Sequence, residues 1–546
     1  MVDLWYKNAV IYCLDVETFM DSNGDGVGDF QGLADRLDHI EDLGATCVWL
    51  LPFYPSPNRD NGYDITDFYA VDPRLGTLGD FVAFTHEAEE RGLRVVVDLV
   101  ANHTSVDHPW FQEARRDPNS RYRDWYVWSK EKPDNIHEGV VFPGVQDAVW
   151  TYDEVAGAWY LHRFYPHQAD LNITNPEVKA EIEKVMGFWL QLGVSGFRID
   201  AVPFLIEYKG VPEHEHPGDD PHAYLDEMRA FLSWRRAEAV MLAEANIEND
   251  KVDEYFGATG DRMHMIFNFM LNQHVFLAFA RGDAEPIRRA MAEIPPIPPK
   301  AQWASFLRNH DEIDLGRLTE EERAEAFAAF GPKKHMQAYE RGVRRRLAPM
   351  LGGDERRLKL AFSLMFALPG TPVLWYGDEI GMGDDLSLPE RNSVRTPMQW
   401  SDEPSAGFSD APADKLVRPV VTDERFDYRR VNVAAQHDVP GSLMEHVQRL
   451  VRTRRAAPEI GWGATQVLDT AETGVLALRY DWRGETLFTF HNLADKPAEV
   501  RPAFEGVHKL RPLFSHDDDR AMRDAAAPVA LEPFGYRWFR AHGERR

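Results

Sequence analysis

The stretch Leu93-Arg94-Val95-Val96-Val97-Asp98-Leu99-Val100-Ala101-Asn102-His103 decides the fold. Its β-branched run lacks polar alternation, so it predicts a strand covered on both faces, the condition of a parallel sheet. Polar groups, Asp98, Asn102 and His103, gather where the run ends. Seven other runs share this texture: Val10–Val16, Cys47–Leu51, Gly196–Asp200, Val240–Glu244, His264–Phe269, Trp303–Arg308 and Pro372–Trp375. Amphipathic stretches between them, Leu33–Leu43, Phe81–Arg91, Val178–Leu192 and Arg356–Phe366, predict crossover helices. Eight such units predict an α/β chain folded as a (β/α)8 barrel, whose strand C-termini converge on one mouth.

Three segments interrupt the alternation and set the expected domain organisation. Residues 1–100 and 176–456 are assigned to the barrel. Residues 101–175, rich in aromatics (Trp110, Tyr122, Trp125, Tyr126, Trp128, Trp150, Tyr152), are too long for a structureless loop and predict a small inserted domain. Residues 311–353 are charged and helix-prone, which predicts a solvated helical excursion, with a lid over the mouth as the alternative. A helical stripe at Leu443, Val447, Leu450 and Val451 follows. Beyond it, Val475–Tyr480, Thr486–Asn492 and Tyr536–Phe539 predict a C-terminal all-β sandwich over 457–546.

Composition narrows the function. The chain has 546 residues, 44% of them hydrophobic, with 61 basic against 89 acidic side chains and a net charge of −28. That balance argues against nucleic acid as a partner. Two cysteines exclude a disulfide scaffold or a four-thiolate zinc site; Cys13 and Cys47, in apolar company, are read as buried inert thiols. The N-terminus has no basic-then-apolar signal pattern, and no apolar run approaches the ~18 residues of a membrane span. A cytoplasmic chain with no membrane partner is expected, and a homo-oligomer is compatible with it.

Polar residues close several strands together: Asp98 to His103, Arg198 and Asp200, Glu244, and Asn309-His310-Asp311. A single Asp at a strand end is commonly a helix cap, but four strands doing this with Asp, Glu, Arg and His point to chemistry. Three carboxylates, Asp200, Glu244 and Asp311, suit glycoside cleavage, where one attacks the anomeric carbon and another protonates the leaving oxygen. Arg198, two residues before Asp200, points to the same side of its strand and should keep that carboxylate ionised. Enclosure and the nearby Asp200 should raise the pKa of Glu244, as an acid/base requires. The loop Asp21-Ser22-Asn23-Gly24-Asp25-Gly26-Val27-Gly28-Asp29 sets hard oxygens at alternate positions, which predicts a Ca²⁺ site over a plain Asx turn.

These ordered motifs closely resemble the α-amylase family of retaining α-glycosidases, along essentially the whole chain. Within it the trehalose synthases share Leu51-Pro52-Phe53-Tyr54-Pro55-Ser56-Pro57, Asp200-Ala201-Val202-Pro203-Phe204-Leu205 and Arg395-Thr396-Pro397-Met398-Gln399-Trp400. The resemblance implies Asp200 as nucleophile, Glu244 as general acid/base and Asp311 as the group that distorts the sugar. It places His103, Arg198 and His310 around the transferred glucose, Tyr63 beneath it and Gln168 at the substrate. It also implies a pocket floor in which Asp60 pairs with Arg395. The expected substrate is a small α-glucoside, maltose or similar, attacked from its non-reducing end.

The resemblance further implies structural Ca²⁺ at one or two sites. One is the loop, through Asp21, Asn23, Asp25, Val27 and Asp29. The other would join barrel and inserted domain through Asn102, Asp170, Glu207 and the carbonyls of Phe204 and Leu205. The acceptor side departs from the pattern: Ala245-Asn246-Ile247-Glu248-Asn249 replaces the Gln-Trp-Pro turn usual in trehalose synthases. Maltose-to-trehalose isomerisation is the leading expectation, with α-glucosidase or transfer to other acceptors as the alternative.

Overall fold

In a computed structural model of the chain, which describes residues 3–209, 220–501, 507–517 and 520–542, eight parallel strands close into a barrel. They are β1 (Ile11–Leu14), β2 (Cys47–Leu50), β3 (Arg94–Leu99), β4 (Gly196–Ile199), β5 (Val240–Ala243), β6 (Met265–Phe267), β7 (Gln302–Phe306) and β8 (Thr371–Trp375). Each pairs with its sequence neighbour, and β1 closes on β8 through Cys13 opposite Trp375. All eight coincide with the expected runs. Each stops one or two residues earlier at its C-terminal end, except β8, so that Asp200, Glu244 and Asn309–Asp311 fall just beyond their strands while Asp98 and Arg198 pair within them.

Every barrel strand but β3 is buried along its whole length, and Cys13 and Cys47 lie in the core as free thiols. Helices Leu78–Glu90, Pro176–Gln191 and Glu355–Ala367 cover the barrel, each capped by the oxygen or amide side chain preceding it. The single helix expected over Leu33–Leu43 is instead two, Phe30–Asp35 and Leu37–Leu43, broken at Arg36, whose guanidinium stacks 4.6 Å from the Trp400 ring.

Between β3 and β4 the chain builds two small antiparallel sheets, His103–Ser105 with Gln168–Asp170, and Trp128–Ser129, Ala158–Leu161 and Trp150–Asp153. The segment after β7 is not purely helical as expected. It holds helix Glu320–Phe330 and a three-stranded sheet of Ile313–Asp314, Gly342–Val343 and Gln337–Ala338. Its hairpin turn carries Tyr339 and Glu340 at positive φ, which the periodicity of so short a sheet cannot announce.

C-terminally, a six-stranded antiparallel sheet and a two-stranded sheet enclose a separate core that includes Val475, Phe488, Phe490, Val529 and Leu531. The large sheet docks on the barrel through buried polar contacts. Ser363 Oγ lies 2.9 Å from His491 Nε2 and accepts from Trp538 Nε1 at 3.0 Å. No helix among the described residues is long and apolar enough to cross a membrane.

Candidate active site

The barrel mouth opens on a cavity of about 440 Å³. Parallel register sets Asp98 of β3 beside Arg198 of β4, which lies beside Leu242 of β5. Asp200 and Glu244 follow immediately after β4 and β5. Ala201, held at φ +49°, turns the chain sharply and donates its amide to Glu244 Oε2 at 3.0 Å. A non-glycine residue in that region is strained, and here the strain sits between the two carboxylates.

Arg198 is the hub. Its Nη1 lies 2.7 Å from Asp98 Oδ1 and 2.5 Å from Asp200 Oδ1, and its Nη2 lies 2.8 Å from Glu244 Oε2. The guanidinium also faces the rings of Trp49 and Tyr63 at 5.5 and 5.7 Å. One positive charge therefore serves three carboxylates, so it cannot offset their burial fully. Burial pushes Asp200 up to about 6 against the opposing pull of Arg198. Burial raises Glu244 to about 7, with the charges of Asp200 and Asp311 adding to it and Arg198 opposing. The pair is thus split in the sense that acid/base chemistry near neutrality needs.

Asp311 behaves oppositely. Burial alone would raise it, but the facing His310, Arg391 and Arg395 hold its carboxyl well below the usual range. Its Oδ1 accepts from Arg391 Nη1 at 2.9 Å and from Arg395 Nη2 at 3.1 Å, while His310 Nε2 lies 3.1 Å from Oδ2. His310 stacks on Tyr63 with ring planes 10° apart. The Tyr63 hydroxyl reaches both His310 Nε2, at 2.9 Å, and Asp98.

The cavity lining corrects one pairing. Asp60 pairs with Arg391 at 2.8 Å and accepts from Gln168 at 2.9 Å; Arg395 is not its partner. Arg395 is fully buried, anchored by the His310 carbonyl at 2.8 Å, and supports Asp311 from behind. The two arginines lie four residues apart, Arg391 within the 3-10 turn Glu390–Val394 and Arg395 at its C-cap, and only the path of that turn decides which one faces the cavity. Eight of the ten expected catalytic and substrate residues line the cavity: Asp60, Tyr63, His103, Gln168, Asp200, Glu244, His310 and Asp311. Arg198 and Arg395 stand behind them.

Other lining residues were not anticipated. Glu312, next to Asp311, is raised by burial to about 7, and its Oε2 is buried without a partner. Asp314 and Arg341 come from the small sheet after β7, and Phe142 and Phe164 from the insertion. The adjacency of Glu312 to Asp311 was a usable signal; Arg341 had none. These segments meet across the mouth. Arg341 Nη2 donates to the Val141 carbonyl at 3.0 Å, Phe142 packs on Tyr339 at 4.6 Å, and both Tyr165 and Tyr339 donate to Glu390.

The cation expected between barrel and insertion is instead a lysine. The buried Lys209 Nζ lies 2.8 Å from Asp170 Oδ2 and donates to Asn102 Oδ1 at 2.5 Å. Glu207 is taken by Arg163 at 2.5 Å, and the Phe204 carbonyl accepts from Glu207 N at 3.4 Å. Asn102, Asp170, Phe204, Leu205 and Glu207 therefore do not fit a Ca²⁺ site, because an ammonium already neutralises Asp170. The Asp21–Asp29 loop differs. Asp21, Asn23 and Asp25 each accept the amide two residues on, and a Cβ on Gly26 would meet the Lys415 carbonyl at 2.2 Å. Its donors are hard oxygens that fit Ca²⁺ in kind. Asp29 also caps helix Phe30–Asp35, and no three His, Cys, Asp or Glu side chains among the described residues are grouped as metal ligands.

The fold and site together define a carbohydrate-active barrel enzyme, and the chain belongs to the α-amylase family. The description "Alpha amylase, catalytic domain" matches residues 13–332 and 340–463, and "Sucrose hydrolase-like, C-terminal domain" matches 484–540. The chain is 46% identical over 547 residues to a trehalose synthase of Thermus thermophilus, covering 99% of this chain and 56% of that protein. It is 42% identical over 543 residues to the trehalose synthase/amylase TreS of Mycobacterium tuberculosis, covering 98% and 90%. The trehalulose synthase MutB of Pseudomonas mesoacidophila superimposes with a TM-score of 0.79 at 26% identity, covering 98% and 99%.

The Asp60–Arg391 pair makes a direct prediction. Asp60→Ala and Arg391→Ala should each lower kcat/KM, and the double variant should lose less than the sum. A double-mutant cycle should give a coupling of about 0.5–3 kcal/mol. The same cycle between Asp60 and Arg395, which are linked only through Arg391 and Asp311, should give a smaller coupling.

Proposed function

We propose that the protein is a retaining, exo-acting α-glucosyl-transferring enzyme that isomerises maltose to trehalose with some hydrolysis. The observation that carries the reading is one buried guanidinium shared by Asp98, Asp200 and Glu244 in a cavity whose wall includes the linked cluster Asp60, Gln168 and Arg391. That cluster of hydrogen-bonding groups suits the hydroxyls of a terminal glucose, and the similarity to trehalose synthases favours maltose as its source. Ionised Asp200 attacks the anomeric carbon while protonated Glu244 gives its proton to the leaving oxygen, releasing glucose. The ionised Glu244 then takes the proton from the anomeric hydroxyl of that glucose, which attacks the Asp200 ester and frees the carboxylate. Asp311, held ionised by Arg391 and Arg395, grips the hydroxyls of the distorted ring.

Isomerisation rather than hydrolysis requires that the released glucose stay and water stay out. The contacts of Arg341 and Tyr339 with the insertion support that sequestration. A cytoplasmic location fits the two free, buried thiols. The Asp21–Asp29 loop would hold one structural Ca²⁺, outside the chemistry.

Incubation with maltose should yield trehalose with a minor fraction of glucose. Glucose alone would mean an α-glucosidase, and glucosides of added acceptors a transferase. Glu244→Gln should lower turnover by about 10²–10⁴. Because Asp200 must be ionised and Glu244 protonated, kcat/KM should fall below about pH 6 and above about pH 7, and Glu244→Gln should remove the alkaline limb.

Arg341→Ala should raise the glucose-to-trehalose ratio several-fold while total maltose consumption changes little. An unchanged product ratio would remove the sealing role. Chelation should lower the melting temperature of the wild type, Ca²⁺ should restore it, and Asp21→Ala should lose the response. Lys209→Met should be destabilised without becoming sensitive to Ca²⁺.

A further inference from the structure

The Asp60–Arg391 pair joins two loops, one after β2 and one after β8, and neither residue lies in a strand. What fixes those loops lies behind the cavity, in a buried polar cluster at the end of β1. Asp15, Glu17, Asn61 and Arg418 are each 3–8% exposed there, and none of them lines the cavity.

Arg418 is the centre of that cluster. It arrives on an irregular segment pinned to the Asp21–Asp29 loop, where Val417 N donates to the Gly26 carbonyl at 2.9 Å. Its Nη1 donates to the Arg395 carbonyl at 3.1 Å, and its Nη2 donates to Asn61 Oδ1. The carboxylates of Asp15 and Glu17 lie 3.7 and 3.6 Å from the same guanidinium. Arg395 caps the turn that presents Arg391, and Asn61 follows Asp60 directly. One planar fork therefore bonds both loops that carry the pair, a geometry that a point-charge ammonium cannot reproduce.

The loop after β2 needs such a hold. Asn58 and Asn61, on either side of Asp60, sit at φ +58° and +49°, a strained region for any residue with a side chain. Each is gripped by a carboxylate from the end of β1. Glu17 Oε1 accepts from Asn58 Nδ2 at 2.9 Å, and Asp15 Oδ2 accepts from Asn61 Nδ2 at 3.1 Å. Glu17 has a second cation in Arg74 at 2.8 Å, whereas Asp15 pairs, among the described residues, with Arg418 alone. Burial and the charge of Glu17 push the Asp15 carboxyl up, against the pull of Arg418. Once desolvation is counted, a buried pair of this kind adds little to stability; what this one fixes is the path of two loops.

We propose that Arg418 is a positioning residue for the glucosyl site: by bonding Asn61 and the Arg395 carbonyl at once, it sets Asp60 against Arg391. The inference rests on the glucosyl transfer proposed above and adds to it a residue that touches no substrate.

The test is steady-state kinetics on maltose for Arg418→Lys and for Asn61→Gly, each in the wild-type chain and in the Asp60→Ala/Arg391→Ala chain. Lysine keeps the charge beside Asp15 without the fork, and glycine accepts the positive φ of residue 61 without the amide. In the wild-type chain each should lower kcat/KM by about 10–10²-fold, chiefly through a raised KM. In the chain lacking the pair the same substitutions should cost no more than about twofold, because nothing is left for Arg418 to position. Equal losses in the two chains would mean a merely structural cluster, and an undiminished kcat/KM would mean loops that hold themselves; either result overturns the proposal. A wild type that turns over neither maltose nor p-nitrophenyl α-glucoside would instead overturn the proposed function, and this inference with it.

Discussion

Everything at the barrel mouth depends on the guanidinium of Arg198. Three carboxylates converge on it, and each would be untenable in that enclosure without a cation in contact. The convergence is possible only because β3, β4 and β5 run parallel and in register, so that Asp98, Arg198, Asp200 and Glu244 meet from adjacent strand ends. The aromatic faces of Trp49 and Tyr63 complete the cage and keep the charge out of water. One cation divided among three anions leaves a deficit, and the raised pKa values of Asp200 and Glu244 express it. The electrostatic condition for a split acid/base pair follows from the same contact that lets the fold bury these groups.

Around this hub the chain assembles the rest of the cavity from segments distant in sequence. Asp60 and Tyr63 follow β2, His103 and Gln168 belong to the insertion, and Asp311 and Arg391 follow β7 and β8. Asn246, which follows β5, and Asp314 and Arg341, from the small sheet after β7, also line the cavity. Asn246 donates to Asp314 at 3.0 Å and accepts from Arg317 at 3.2 Å, so this wall is built around an amide. Lys209 ties the insertion to the barrel through its buried ammonium between Asn102 and Asp170.

Much of the architecture was legible in the order of residues, for a specific reason. Parallel strands buried on both faces are continuous apolar runs, and all eight stood out from Ile11 to Trp375 for that reason. Polar groups at the ends of four of them marked the mouth as well, because capping explains one such carboxylate but not four strands ending alike. Short elements were another matter. The two-residue strands after β7 have no readable period, and the break at Arg36 rests on its stacking against Trp400, more than 360 positions away. The exchange of Arg395 for Arg391 at Asp60 is of the same kind, since both carry the same charge on the same turn.

By itself, then, the sequence determined the barrel, its mouth and the chemical identity of the acids there. Those features are written in local hydrophobicity and in the kind of group that ends each strand, and both survive without knowledge of distant neighbours. Tertiary structure alone decided who pairs with whom. It put Arg391 rather than Arg395 on Asp60, Lys209 rather than an expected ion on Asp170, and Arg341 against the insertion. Pairing among like side chains is settled by distances of a few ångströms between segments far apart in the chain, and no local pattern of residues encodes a distance.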